Sequence, residues 1–226
     1  MSYGSGNDKV GMVSIAKQRG LDVVLERRYP PNTTSWAPLA TQIRDAKPDL
    51  VINDGLGVDP VNLLQAMKQL NYKPPLMFSL FPAPGPLLGL GDTSDGLLSV
   101  TIFEPNKATL DRLGPDATAI VNDFKARATQ AKLPYTVFET QAAASWNAWE
   151  ILVAGVKAAG KVDNKAICDS LHAKGADTTF AGHLTFDPKA NNFWTTTQAI
   201  KQIQNRDWVT VYPPQRAAGR LRSSAG

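Results

Sequence analysis

The sequence is poor in the residues on which disulfides, zinc sites and many catalytic centres depend. Its 226 residues include one cysteine and two histidines. A single cysteine cannot form an intrachain disulfide, and no cysteine and histidine have the spacing of a zinc site. Cys168 falls in a segment with helical periodicity, where we expect it to pack as a small residue. Neither a metal nor a cofactor is therefore predicted.

Long apolar runs are also lacking. No stretch reaches the roughly 18 consecutive apolar residues that a membrane span needs. The first residues lead directly into a polar segment, without the charged, apolar and small-residue regions of a secretory leader. The chain as written is therefore expected to carry no export signal.

No basic face or stripe is visible, although the net charge is +4 and the isoelectric point is near 9.2. Lysine and arginine are scattered, and the densest cluster is Arg216, Arg220 and Arg222 near the end. Proteins that bind nucleic acid usually concentrate their basic residues on one surface. No nucleic-acid partner is predicted. With 43% hydrophobic and 19% charged residues, the composition is that of a folded globular chain.

The first hundred residues alternate between helical and strand patterns. Helices are predicted at 10–19, 36–46 and 61–70, and strands at 22–29, 50–52, 76–80 and 97–102, with a loop rich in proline and glycine at 82–91. Such alternation with short connections indicates an α/β fold with a mostly parallel sheet covered by helices on both faces.

The pattern changes near residues 102–105, where we expect the chain to cross between domains. Long helices are predicted at 116–131, 139–160 and 163–173. Short strands follow at 183–186, 197–204 and 208–212. The remaining residues, 213–226, are small, polar and basic, and are expected to form a flexible tail.

Motifs of known enzyme chemistry are not complete anywhere in the sequence. His172 and His183 stand outside any catalytic pattern, and structural roles are expected for both. Gly-Leu-Gly at 55–57 and again at 89–91 completes neither a dinucleotide fingerprint nor a phosphate-binding loop. A catalytic role would need a nucleophile with a base, paired carboxylates or a metal cluster. An enzyme on a doubly wound sheet is therefore the weaker hypothesis.

The residues that follow two predicted strands are candidates for a binding site. Asn53, Gly55 and Leu56 come after the strand at 50–52, and Phe78, Leu80 and Phe81 belong to the end of the strand at 76–80. Ligands of open α/β sheets bind at the carboxyl ends of strands, and small-molecule sites combine apolar walls with a few polar groups. Simple packing of the apolar residues under a loop remains an equal alternative.

The ordered series of segments resembles the type I periplasmic binding proteins of branched-chain amino acid transporters. The series comprises Tyr29-Pro-Pro-Asn-Thr-Thr-Ser-Trp36, Gln42-Ile-Arg-Asp-Ala-Lys-Pro-Asp-Leu-Val51, Leu64-Gln-Ala-Met-Lys-Gln-Leu70, Lys73-Pro-Pro-Leu76 and Ala181-Gly-His-Leu-Thr-Phe-Asp187. The match runs over roughly residues 3–212, and its weight lies in the order of the segments.

This resemblance implies a periplasmic binding protein type I fold, an α/β fold of two doubly wound, Rossmann-like lobes with ligand held between them. Residues 1–101, with terminal strands at about 197–212, would form most of lobe 2. Residues 102–196 would be the returning part of lobe 1, whose first part is expected to be missing. Phe103 would lie at a hinge. The resemblance further implies a periplasmic location and docking on an ABC-transporter permease.

The resemblance also places individual residues in the ligand cleft. Tyr3 matches an aromatic residue that lines it. Leu56 stands where many members have a tyrosine, and Leu80 where the amino-acid binders have a glutamate that pairs with the ligand ammonium. Because leucine cannot pair with an ammonium, a buried ammonium would be left uncompensated. An aromatic or aliphatic carboxylate is therefore favoured as ligand, and an amino acid is the less favoured possibility.

Two further hypotheses remain open from the sequence. The same architecture serves as the sensor domain of receptors and regulators, which a fused effector or membrane segment would mark. Alternatively, the chain is a truncated product without a competent site.

Overall fold

The computed structural model describes residues 11–189, 192–193 and 198–223. Eight helices are assigned in these residues: α1 Met12–Gln18, α2 Ala37–Ala46, α3 Asp59–Gln69, α4 Pro84–Leu88, α5 Lys107–Leu113, α6 Pro115–Gln130, α7 Thr140–Ala159 and α8 Asn164–Lys174. Nine strands accompany them: β1 Leu50–Gly57, β2 Leu76–Pro82, β3 Leu98–Thr101, β4 Ala176–Thr178, β5 Gly182–Leu184, β6 Phe186–Asp187, β7 Asn192–Phe193, β8 Ala199–Gln204 and β9 Asp207–Tyr212.

The main sheet has five strands in the order β1-β2-β3-β8-β9. β1 pairs with β2, and β2 with β3, in parallel. Parallel neighbours need crossover connections, which α3 supplies between β1 and β2. The sequence prediction of an α/β fold with a mainly parallel sheet is confirmed.

β8 and β9 are joined by a two-residue turn at Asn205 and Arg206, which have φ angles of 56° and 65°. Two consecutive residues with positive φ are typical of the type I′ turn, whose twist matches that of the flanking strands. Arg206 is held in place by Asp92, whose carboxylate accepts from its Nε and Nη2 at 3.1 Å. The last two strands predicted from the sequence are thus joined as a hairpin.

The chain divides into two compact units. The first comprises the described residues up to Val100, Ile200–Val209 and the described residues from Arg220 onward. The second comprises the described residues of Thr101–Ala199, together with Thr210–Gly219. Each unit has its own apolar core.

The core of the first unit forms where α2 and α3 pack beneath the parallel strands. α3 contributes Leu63 and Met67, each 1% exposed, on one helical face, and Met77 of β2 is 4% exposed. Helical spacing sets the α3 residues on one side, and strand alternation points Met77 into the same cluster. The apolar periodicity of the helix predicted at 61–70 sets Leu63 and Met67 on one side, and the structure buries both.

The core of the second unit is built around Phe103, which is 1% exposed. Its ring lies edge-on to Phe180 at 4.7 Å and to Phe138 at 5.8 Å between centroids. The Phe103 carbonyl accepts from Thr101 Oγ1 at 2.9 Å, and its N–H donates to the same oxygen at 3.1 Å. Packing and hydrogen bonds thus hold the Phe103 ring and its local turn within the second unit.

Three local expectations are wrong. The strand predicted at 22–29 is not formed, since no described strand pairs with these residues; Leu25 and Tyr29 nevertheless pack against the core of the first unit. The predicted loop at 82–91 contains the short helix α4. Cys168 is exposed, because α8 buries Ile167 and turns the next residue toward solvent.

The segment expected to be a flexible tail makes backbone contacts over its described residues. Gln202 Nε2 donates to the Arg222 carbonyl at 2.7 Å, and Gln204 Nε2 donates to the Arg220 carbonyl at 2.6 Å. Both glutamines are buried, and a buried amide is costly unless it is hydrogen-bonded. The terminal segment therefore satisfies polar groups of β8.

Candidate functional site

The carboxyl ends of β1 and β2 lie side by side. Asn53 is opposite Ser79, Leu56 is opposite Phe81, and Gly57 is opposite Pro82. Two residues of β1 separate Asn53 from Leu56, whereas one residue of β2 separates Ser79 from Phe81. The extra residue on β1 is a β-bulge. The structure therefore brings together the two groups of residues that the sequence singles out as a candidate site.

Asn53 holds the bulge in place. Its side chain is 5% exposed, its Oδ1 accepts from the Gly55 N–H at 3.0 Å, and its Nδ2 donates to the Tyr29 hydroxyl at 3.4 Å. A local bond from an asparagine to the backbone two residues on stabilises a turn. Asn53 accordingly holds the backbone of the bulge in its observed conformation.

Gly55 lies where a larger residue has no space. A β-carbon at this position would overlap the Tyr29 hydroxyl and come within 2.8 Å of Asn53 Oδ1 and 2.9 Å of Asp59 Cβ. Glycine permits close approach of the backbone to neighbouring groups at bulges of this kind. The glycine is therefore required by packing at the strand end, independently of any ligand.

Tyr29 is a residue of this region that the sequence reasoning does not select. Its hydroxyl donates to Asp59 Oδ2 at 3.3 Å, and its ring meets Trp36 edge-on at 4.9 Å. Burial raises the pKa of Tyr29 to about 12; the hydrogen bond from Asn53 opposes this shift, and the nearby Asp59 adds to it. The sequence feature that could have identified Tyr29 is its position directly before Pro30-Pro31, at the end of an apolar segment.

The apolar candidates divide between two faces of the sheet. Side chains alternate along a strand, so Phe81 points to the same face as Ser79, and Phe78 and Leu80 point to the other. Phe78 and Leu80 are partly buried, whereas Leu56 and Phe81 are 43% and 40% exposed. The three-residue apolar wall expected from the sequence is thus divided, and the exposed apolar pair at the strand ends is Leu56 with Phe81.

Asp54 places one carboxyl group in the bulge. Its Oδ1 is buried and has no hydrogen-bond partner among the described residues, and burial raises the pKa of Asp54. A carboxyl oxygen withdrawn from water without a partner favours its protonated form.

Two other candidates lie apart from this group. Tyr3 lies outside the described residues. Phe103 belongs to the core of the second unit, two residues after its first residue, Thr101. Its role as a hinge stays a prediction.

A family model described as periplasmic binding protein matches residues 3–210. The chain therefore belongs to the periplasmic binding protein family. Its fold is that of the type I members, with a mainly parallel sheet and a division into two units.

Solved structures with the same fold include binding proteins of known ligand class. A leucine-, isoleucine-, valine-, threonine- and alanine-binding protein from Brucella ovis superposes with a TM-score of 0.72 at 16% identity, covering 96% of this chain and 56% of that one. A leucine-binding protein from Thermotoga maritima gives 0.68 at 16% identity, covering 89% and 55%. An ABC-transporter solute-binding protein from R. palustris, in complex with benzoate, gives 0.66 at 18% identity, covering 88% and 53%.

The chain spans between about half and three fifths of the length of these structures. Within the described residues, none of the helices combines the length and apolar character required to cross a bilayer.

Proposed function

We propose that the protein captures a small apolar carboxylate as the extracytoplasmic solute-binding component of an ABC-type importer. Membership of the periplasmic binding protein family supports solute binding. The ligand class is proposed from the residues at the strand ends, and the transporter from the similarity to an ABC-transporter solute-binding protein.

The observation that carries this proposal is the exposed pair formed by Leu56 and Phe81. The two residues are opposite one another at the carboxyl ends of adjacent parallel strands, and each leaves about two fifths of its surface to solvent. Exposed apolar side chains at the strand ends of an open α/β sheet lie where ligands of such sheets bind. Covering this pair with an apolar ligand removes both side chains from water, which is favourable.

An aromatic or aliphatic acid fits this surface better than an amino acid. Neither Leu56 nor Phe81 offers a charge for an ammonium, and the Asp59 carboxylate already accepts from Tyr29. The benzoate complex of the R. palustris protein shows that an aromatic acid is held on this fold. A ligand without an ammonium therefore leaves fewer charges uncompensated on binding.

Asp54 favours a second candidate, a ligand that carries an amino group. Its buried Oδ1 is free to accept among the described residues, and a cation beside it would lower the pKa that burial raises. On this alternative the protein binds a branched-chain amino acid, as the Brucella ovis and Thermotoga maritima proteins do by their names.

The proposed mechanism is closure of the two units around the ligand, with bending near Phe103. A ligand that makes additional contacts in the closed form shifts an existing equilibrium toward it. The closed form then docks on the permease. This mechanism requires no chemical change of the ligand, so the proposed function does not include catalysis.

Calorimetric titration of the purified chain with benzoate and with leucine tests the ligand class. We expect benzoate to bind at least tenfold more tightly than leucine, and to raise the unfolding temperature by mass action. Tighter binding of leucine would favour the Asp54 alternative. Absence of binding by both at millimolar concentration would overturn capture of such acids by this chain.

A further inference from the structure

A pocket of about 200 Å³ opens in the first unit, at the amino end of β2. Its volume corresponds to about six or seven water molecules at about 30 Å³ each, which is small beside the roughly 300–1,000 Å³ of drug-sized sites. The second half of α3, the loop leading into β2 and the short 3-10 helix Gly91–Thr93 form its walls. The residues of this α3 pocket are Leu64, Lys68, Asn71, Tyr72, Lys73, Pro74 and Thr93.

The α3 pocket is separate from the exposed pair Leu56 and Phe81. Its loop precedes β2, which begins at Leu76, whereas Phe81 lies near the other end of the same strand. The five steps from Leu76 to Phe81 span about 17 Å at about 3.3 Å per residue. A ligand small enough for the α3 pocket therefore does not reach the strand ends.

The polar side chains of the α3 pocket are unpartnered within the described part of the chain. Lys68, Asn71, Lys73 and Thr93 make no side-chain hydrogen bond or ion pair there. The hydroxyl of Tyr72 is buried and also has no hydrogen-bond partner among the described residues. Burying a hydroxyl without a partner is costly, and most buried polar groups have one. The pocket thus offers several donors that are not engaged by the protein.

The charge of the α3 pocket is positive. Its two charged residues, Lys68 and Lys73, are both exposed. Burial raises the pKa of Tyr72, so its hydroxyl keeps its proton at neutral pH and remains a donor. Asp95 lines an adjoining narrow crevice, but its Oδ1 already accepts from the Asn205 N–H at 2.9 Å. Two cations and a set of donors favour an anion.

The carbonyl groups at the end of α3 are engaged by the turn that follows. Unpaired carbonyls give the carboxyl end of a helix a partial negative charge, which would repel an anion. The Met67 carbonyl accepts from the Leu70 and Tyr72 N–H groups, both at 3.0 Å. The Lys68 carbonyl accepts from the Asn71 N–H at 2.9 Å. These bonds reduce the repulsion that an anion beside Lys68 would meet.

Apolar side chains complete the α3 pocket. Leu64 is 5% exposed, Pro74 is buried and Tyr72 is partly buried. Small-molecule sites combine apolar walls with a few polar groups that fix orientation. Contact with these walls favours an anion that carries hydrocarbon, since removing apolar surface from water is favourable. An inorganic ion gains nothing from them.

We propose that the α3 pocket binds a small organic anion with an apolar body. Its anionic group pairs with Lys68 and Lys73 and accepts from the Tyr72 hydroxyl, and its apolar body contacts Leu64 and Pro74. This second site is independent of the ligand proposed for the strand ends. Exposed ion pairs contribute little individually, so millimolar affinity is expected.

A titration with benzoate, followed by the backbone amide resonances of the labelled chain, tests the proposal. Shifts at Tyr72 and Lys73 report the α3 pocket, and shifts at Leu56 and Phe81 report the strand ends. We expect the pocket amides to shift along a saturable curve. Benzamide has the same ring without the charge, and is expected to bind the pocket at least fivefold more weakly.

Variants locate the anionic group. Lys68→Gln and Lys73→Gln are each expected to raise the pocket dissociation constant about two- to fivefold, the range of exposed ion pairs. Tyr72→Phe is expected to raise it by about fivefold or more, because the hydroxyl donates to a charged group. Lys17→Gln is the matched control: it removes the same charge from an exposed position on α1, and should leave the constant unchanged.

The two sites give separate outcomes in the same titration. Saturable shifts at Tyr72 and Lys73 support the α3 pocket, even where Leu56 and Phe81 show none and ligand capture at the strand ends fails. Pocket amides that do not move at millimolar benzoate would overturn the proposal. Equal binding of benzamide, or a loss with Lys17→Gln as large as that with Lys73→Gln, would overturn it as well.

Discussion

Leu56 and Phe81 are opposite one another at the carboxyl ends of β1 and β2, with 43% and 40% of their surfaces exposed. Next to this pair, the bulge between Asn53 and Leu56 is fixed by Tyr29, whose hydroxyl accepts from Asn53 Nδ2. An exposed apolar pair on a rigid support is suited to hold a ligand in one orientation.

Phe81→Ala is expected to weaken benzoate binding by about tenfold or more, since burying a phenylalanine contributes about 1.5–3 kcal/mol and 1.4 kcal/mol is tenfold in affinity. Leu56→Ala is expected to have a smaller effect in the same direction. Calorimetric titration measures both. Val162→Ala, an apolar truncation at a site that is 87% exposed in the second unit, is the control and should leave the affinity unchanged. Equal affinities for all three variants would show that the ligand does not cover this pair.

Gly55→Ala is expected to destabilise the protein by about 1–3 kcal/mol, because the added methyl group has no space beside Tyr29 and Asp59. Urea unfolding measures the change. Tyr29→Phe removes the hydroxyl that the methyl group meets, so the double variant should lose less stability than the sum of the two single variants. Additive losses would mean that the two positions do not contact one another.

Stability is expected to fall between pH 10 and about 12 because of Tyr29. Burial raises its pKa from 10.0 to about 12 in the folded state. Below pH 10 the hydroxyl is neutral in both states, and above it the unfolded chain releases the proton first, which favours unfolding. The free energy of unfolding, measured by urea titration at several pH values, should decline more steeply for the unmodified chain than for Tyr29→Phe. Parallel declines would contradict the raised pKa.

Phe103→Ala is expected to cost about 3–5 kcal/mol of stability, since it leaves a cavity beside Phe138 and Phe180. Phe81→Ala is the matched control: the same truncation at a residue that is 40% exposed should cost much less. Urea unfolding of both variants makes the comparison. A loss at Phe103 no larger than that at Phe81 would show that the aromatic cluster does not stabilise the second unit.

The order of elements in the first unit could be predicted because its signals are local. Apolar periodicity and breaking residues give α2, α3 and β2 their places, and the parallel sheet follows from the alternation. The same logic failed at 22–29, where the apolar pattern is that of a strand. Leu25 and Tyr29 there pack against the core, partly buried and without backbone pairing, while Val24 is 53% exposed. An apolar sequence pattern indicates packing more directly than it indicates a backbone partner.

The sequence by itself determined where β1 and β2 begin, since an apolar run that follows a proline-containing break is a local property, but β1 extends to Gly57, beyond the strand predicted at 50–52. Tertiary structure alone decided which of their residues face the same way. A single extra residue in β1 shifts its register against β2, so that Leu56 aligns with Phe81, while strand alternation turns Phe78 and Leu80 to the other face. It also decided that Tyr29 packs against Gly55, because this contact joins residues distant in sequence.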